Sequence, residues 1–255
     1  GSYGSAIQGL TPYDSYKGQS KEIIRSRAFH HQSKIDNTCG LWLDGKNVSR
    51  YSYYEGSEWL QYGDWLASPR NPKYFKGPRL LFREVPGVGK RIQCAYVEDT
   101  YYYGHSITPF KLSKTYNSED IYKVLALANS KLLSWYASIK VSNFAKKTFP
   151  KLNPKDIKSL PICVGIDQDN SIDLQIKSKL ISDLVKTLNE VSIRFNKYFV
   201  AKYLLIKTSK KLQNWHELEF GDFIKELNKA IKTSNKQRLK DGLQEVPELT
   251  KKDEF

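Results

Sequence analysis

Two neighbouring stretches concentrate the side chains best suited to chemistry: Trp59-Leu60-Gln61-Tyr62-Gly63-Asp64-Trp65-Leu66-Ala67-Ser68-Pro69-Arg70 and Pro78-Arg79-Leu80-Leu81-Phe82-Arg83-Glu84-Val85. Arginine presents a planar fork of donors that bridges two acceptors, on a guanine edge or on a phosphate, and aromatic rings can anchor the loop that carries it. The combination points to nucleic acid. Its structural rival is an arginine-studded strand facing water.

Patterns that would support catalysis are incomplete. Asn71-Pro72-Lys73-Tyr74 approaches the amide, proline and aromatic strip that holds a base amine for methyl transfer, but Lys73 stands where a second proline belongs. No glycine-rich turn for a methyl-donor nucleotide precedes it. Asp156-Ile157-Lys158 supplies a fragment of a metal-dependent nuclease motif without an upstream acidic partner. His30 and His31 are adjacent, so on a strand they face opposite sides and do not pair as ligands. Gly87-Val88-Gly89-Lys90 is too short for a phosphate loop, which also needs Ser or Thr after the lysine and then a helix. Cys39, Cys94 and Cys163 are far apart and form no metal set or disulfide framework, which favours a reducing compartment. The expectation is therefore no catalytic, metal or cofactor site in this stretch of chain.

Charge strengthens the binding alternative. Lys and Arg number 41 against 27 Asp and Glu, a formal net charge of +14 over 255 residues, and the isoelectric point is about 9.4. Such a surface attracts polyanions beyond a Debye length. No apolar run approaches the roughly 18 residues of a membrane span and no signal pattern opens the chain, so a cytoplasmic protein is expected. Methionine is absent, the initiator included. That reads as a chain starting inside a longer polypeptide, with Gly1-Ser2 as a cloning scar.

The elements that must position these residues follow from periodicity. Up to about residue 117 short apolar runs are cut by Gly, Pro, Asn and Asp, as expected for strands and loops. Arg79 to Val85 and Arg91 to Val97 form two strands of one sheet, joined by a hairpin whose two glycines suit positive backbone angles. From a Ser118 cap, Ile121, Val124, Leu125, Ala128, Leu132, Leu133 and Tyr136 trace the face of one buried helix through about Ile139. A lysine run then follows (Lys140, Lys146, Lys147, Lys151, Lys155 and Lys158), opposed only by Asp156. After a turn-rich break at Gly165 to Asn170, Ile176, Leu180, Leu184, Leu188, Val191, Phe195 and Phe199 mark a long helix whose stripe should be core. A second helix begins near Phe220 with Phe223, Leu227 and Ile231 inward, and Gly242 to Phe255 has no period and should fray. The fold expected is α+β: a mixed or mostly antiparallel sheet lobe with a buried helix over 1–163, then a long helical hairpin over 164–255 packed on it.

Several motifs in order carry a family resemblance: Gln8 to Tyr13, Gly45 to Tyr51, Tyr62 to Arg70, Pro78 to Arg83, Leu125 to Tyr136, Phe149 to Leu152 and Leu160 to Ile162. Together they resemble the TaqI-like C-terminal specificity domain of type IIG restriction-modification enzymes, with departures at Asn47, Val48 and Ser68. The resemblance implies sequence-specific recognition of double-stranded DNA by this chain. It implies an adenine methyltransferase core elsewhere in the parent, using S-adenosylmethionine, and in many members a nuclease with Mg. Expected DNA contacts are Lys46, Arg50, Arg70, Arg83, Lys90, Arg91, Lys146 and Lys147, supported by Tyr101, Tyr102 and Tyr103, of which about half should face the core. Each has a structural rival; for Arg70 and Arg83, which lie inside the family motifs, it is bracing the domain through buried carboxylate or carbonyl bonds. Two other readings stand beside this one. A specificity subunit of a multisubunit restriction system would show two recognition repeats, and none is visible; a basic module for RNA or an acidic protein would show no preference for duplex DNA.

Overall fold

The computed structural model describes residues 3–162 and 168–250, with side chains of the second segment from residue 172 onward. Cys163 and the Gly165–Asp167 part of the expected break lie outside the described residues. Among the described residues there are ten short strands: β1 Gly4–Ala6, β2 His30–His31, β3 Cys39–Leu43, β4 Val48–Ser49, β5 Ser52–Tyr53, β6 Trp59–Gln61, β7 Arg79–Arg83, β8 Cys94–Val97, β9 Tyr101–Tyr103 and β10 Ile107–Leu112. The α-helices are α1 Lys21–Ser26, α2 Asp120–Ala128, α3 Lys131–Lys140, α4 Ser142–Ala145, α5 Pro154–Ser159, α6 Gln168–Lys202, α7 Lys210–Gln213 and α8 Phe220–Lys240. The chain divides into two compact units, Gly1–Asp183 and Leu184–Phe255. It is α+β, as expected.

In the first unit an antiparallel sheet runs β1-β10-β7-β8, and a second sheet runs β2-β6-β3-β9 with β3 and β9 parallel. Strand β7 explains the layering. Leu80 and Phe82 point into a core shared with Ile121, Val124, Leu125, Leu133, Phe144 and Ile157 of the helices. Leu81 points the other way, into a core with Leu43, Leu60, Phe75 and Tyr103 from the second sheet and its loops. With both faces covered, β7 reads as an apolar run rather than an alternation. The expected hairpin forms, pairing Arg79 with Val97 and Phe82 with Cys94. Its positive backbone angles fall at Gly89 (φ 65) and Lys90 (φ 53) rather than at both glycines.

The single helix expected from Ser118 to Ile139 is two. Glu119, not Ser118, precedes the first turn of α2. At Ser130 the backbone becomes extended and the hydroxyl accepts from Leu133 N, which starts α3 afresh. The restart resets the helical phase, so Leu132 (71% exposed) and Ile139 (55%) face solvent instead of the core.

The second unit has its own core of Phe199, Tyr203, Leu212, Phe223, Ile224, Leu227 and Ile231. Helix α8 buries the residues its pattern predicted. The long stripe of α6 does not follow expectation: Phe199 is buried, whereas Ile176, Leu180, Leu184, Leu188 and Val191 are exposed. The final segment, as far as it is described, does not fray. Asn235 exchanges two hydrogen bonds with the backbone of Val246, and Asn228 two with that of Leu249, all between 2.8 and 3.0 Å. The two asparagines are seven residues apart on one face of α8, so they grip an extended chain lying along it.

Candidate nucleic-acid interface

Two loops of the first unit are tied together. The β7–β8 connection contributes Arg83 to Arg91, and the segment after α4 contributes Lys146 to Lys151. Lys90 Nζ donates to Ala145 O at 2.9 Å, Leu152 N donates to Glu84 O at 2.8 Å, and Lys151 Nζ pairs with the Glu84 carboxylate at 3.1 Å. Ser106 extends the assembly, since its carbonyl accepts from Glu84 N and its hydroxyl accepts from Gly45 N, next to Lys46. Six cations, Arg83, Lys90, Arg91, Lys146, Lys147 and Lys151, thus belong to joined loops that carry one carboxylate, Glu84. Positive charge dominates these loops because Glu84, paired with Lys151, is the one carboxylate within them.

Within this group the expected contact residues separate by what already occupies their donors. Lys46 is exposed and loosely paired with Asp44 at 3.6 Å. Lys146 donates to its neighbour Asn143 Oδ1, at 3.0 Å, and Lys147 is exposed. Lys90 is tied to the end of α4. Arg50 and Arg91 both donate to Asn129 O, at 2.9 and 2.8 Å, where α2 ends. A helix C-terminus presents unpaired carbonyls and partial negative charge, so two guanidinium groups there stabilise the fold. Burial, and then the charge of Arg91, lower the Arg50 pKa. Part of each guanidinium is therefore committed to α2. Arg83 is half-buried at the end of β7. Arg70 lies on a separate turn with positive φ, held through Tyr62 OH to its carbonyl at 2.7 Å.

Tyr101, Tyr102 and Tyr103 were expected to divide between core and surface; all three are buried. Strand β9 is covered on both sides. Tyr101 donates to Glu55 Oε1 at 2.8 Å, Tyr102 stacks on Tyr62 with centroids 5.0 Å apart, and Tyr103 bonds Tyr74 O and Arg79. Burial raises all three phenol pKa values, those of Tyr102 and Tyr103 to about 12. They brace the lobe from within.

Sequence reasoning missed two organising residues. Asn129, fully buried, takes Cys94 N on Oδ1 at 3.2 Å and gives Nδ2 to Cys94 O at 2.9 Å, copying a strand neighbour at the edge of β8. The signal was available, because an Asn-Ser pair inside an apolar helical pattern is a stop followed by a cap. Arg79 is fully buried without a carboxylate: Nε donates to Tyr103 OH at 3.0 Å, Nη1 to Gly77 O at 2.8 Å and Nη2 to Asp99 O at 2.9 Å. Nothing in the sequence separates it from Arg83. The fragments resembling catalytic motifs also have local uses. Asn71 Oδ1 accepts from Lys73 N, capping a 3-10 turn, and Asp156 forms a capping box with Asn153 at the start of α5. Among the described residues no three His, Cys, Asp or Glu side chains gather closely enough to hold an ion, and no helix is long and apolar enough to cross a membrane.

The α+β lobe thus ends in joined basic loops, a surface that attracts a polyanion. Residues 40–162 match the family model of the TaqI-like C-terminal specificity domain. Residues 167–255 match a domain of unknown function (DUF8810). No curated protein matches the chain. A solved chain from a study entitled "Structural basis underlying complex assembly and conformational transition of the type I R-M system" overlays with TM-score 0.41 and 12% identity, covering 73% of this chain and 37% of that one. The present chain thus spans little more than a third of that neighbour, and a likeness so distant carries no structural argument.

Proposed function

We propose that this chain is the target-recognition module of a type IIG restriction-modification enzyme, binding double-stranded DNA in a sequence-specific manner. Its parent would methylate adenine with S-adenosylmethionine, and in a cleaving parent a Mg-dependent nuclease would cut. In this reading the chemistry belongs to a methyltransferase core elsewhere in the polypeptide, and the present residues select the site. The observation that carries the proposal is the joined pair of loops, six cations against one carboxylate, within a specificity domain. Lys46, Arg83, Lys146 and Lys147 have donors to spare for phosphates or base edges; Lys90, Arg91 and Arg50 hold the loops in shape and present what remains of their charge. Arg70 belongs to a second contact region.

Titration of the chain with random-sequence duplex DNA at two salt concentrations tests the proposal, with single-stranded DNA and duplex RNA of equal length alongside. The expected result is a preference for duplex DNA that weakens steeply with salt as counterions are released. Equal or tighter binding of single strands or RNA would replace it with an RNA-module reading. Absence of duplex binding at low salt would remove it.

A further inference from the structure

We infer that Phe149 is a wedge that enters the base stack of bound duplex DNA, an inference that rests on the recognition role proposed above. Phe149 is 81% exposed, where an aromatic of this size is ordinarily buried. It is also held in the left-handed backbone region at φ 52, a conformation that a β-carbon disfavours, and Pro150 follows it directly. The surrounding segment is held at both ends. Lys90 bonds Ala145 O on one side; on the other Lys151 N donates to Asn143 O at 3.2 Å and Leu152 N to Glu84 O. A clamped loop that spends backbone strain to keep a ring in solvent is preorganised for an absent partner.

Charge identifies that partner. Lys146, Lys147 and Lys151 lie within three residues of the ring, and the nearby Glu84 carboxylate is already engaged by Lys151. An apolar protein groove would offer no anion to Lys146 and Lys147, whereas DNA offers both phosphates for the lysines and a π-face for the ring. Side chains of this kind unstack flexible base steps and kink the duplex. The equally prominent Val88, 98% exposed on the hairpin loop, has no ring and serves as the control.

The test uses the 255-residue chain and duplexes that it enriches from a random pool. 2-Aminopurine is placed at successive positions, and its fluorescence is read on binding. The wild type should brighten the probe severalfold at one step, Phe149→Ala should abolish that signal and weaken binding roughly tenfold, and Phe149→Trp should retain both. The salt slope should not change, because no charge is removed. A thermal melt confirms that these surface variants fold. Unchanged fluorescence and affinity in Phe149→Ala, or loss of signal with Val88→Ser instead, would overturn the wedge while leaving DNA recognition standing. Failure of the wild type to enrich any duplex would sink the recognition reading itself, before any variant is made.

Discussion

The two ends of strand β7 carry the same residue in opposite circumstances. Arg79 is sealed inside, its guanidinium matched to carbonyl oxygens and a tyrosine hydroxyl; Arg83, four residues on, stands half-buried where the strand opens into the hairpin loop. A buried charge is tolerable only when its donors are satisfied. The lobe therefore separates its cations into those whose hydrogen bonds build the fold and those left open toward solvent. Positive charge alone does not mark a binding surface, and the use already made of each donor does.

Breaking the closed end should have the largest effect. Arg79→Ala strands the carbonyls of Gly77 and Asp99 and leaves the Tyr103 hydroxyl only its bond to Tyr74 O, and we expect a loss of about 3–5 kcal/mol in urea unfolding. Arg79→Lys should recover little of it, because an ammonium cannot reproduce the planar fork. Stability close to wild type in Arg79→Ala would refute the division just drawn.

A smaller loss should follow in the second unit, where neutral amides do the bracing. Asn228→Ala combined with Asn235→Ala removes four hydrogen bonds to the backbone of Val246 and Leu249. The expected cost is about 2 kcal/mol, with rapid hydrogen exchange confined to residues 243–250. Exchange there as slow as in wild type would mean that the segment is held by its apolar contacts alone.

The closed region should also respond to pH. His30 is pushed down to about 4 by burial and then by the charge of Arg27, while its Nδ1 is engaged by Tyr13 OH at 2.9 Å. The folded state thus binds its proton later than the unfolded chain, whose histidine titrates near 6.5. Its contribution to stability is complete above about pH 6.5 and is lost progressively as pH falls toward 4. His30→Gln should flatten this part of the stability profile; a slope that survives the substitution would assign it to other groups.

At the open end the effect on stability should be smallest. Lys146→Ala and Lys147→Ala should each change unfolding by less than about 0.5 kcal/mol. Each should nevertheless reduce the salt slope of duplex binding by about 1. A substantial loss of stability would place these lysines with Arg79.

Much of this architecture was legible in the residue pattern. The β7–β8 hairpin followed from two apolar runs around a glycine-rich turn, and α8 from Phe223, Leu227 and Ile231, because both signals are local. The α2–α3 break had a local signal in Asn129-Ser130, but that Asn129 reaches Cys94, thirty-five positions earlier, was not legible in the sequence. Periodicity reports which face is apolar but not whether anything covers it: the same pattern buries Phe199 and leaves Leu184 60% exposed. The tyrosines of β9 failed for a related reason, since alternation predicts one dry face only when the other meets water, and β9 is covered on both.

By itself the sequence determined the α+β class, the excess of positive charge, the hairpin and the likeness of residues 40–162 to a specificity domain, all of which depend on composition, local spacing or ordered motifs. The tertiary structure alone decided the fate of each cation. Arg50 and Arg91 meet at the end of α2, Arg79 disappears into the core, and Lys146 and Lys147 remain in solvent. The reason is physical: a side chain's charge is set by its type, but the acceptors that compete for it come from distant segments that folding alone brings within reach.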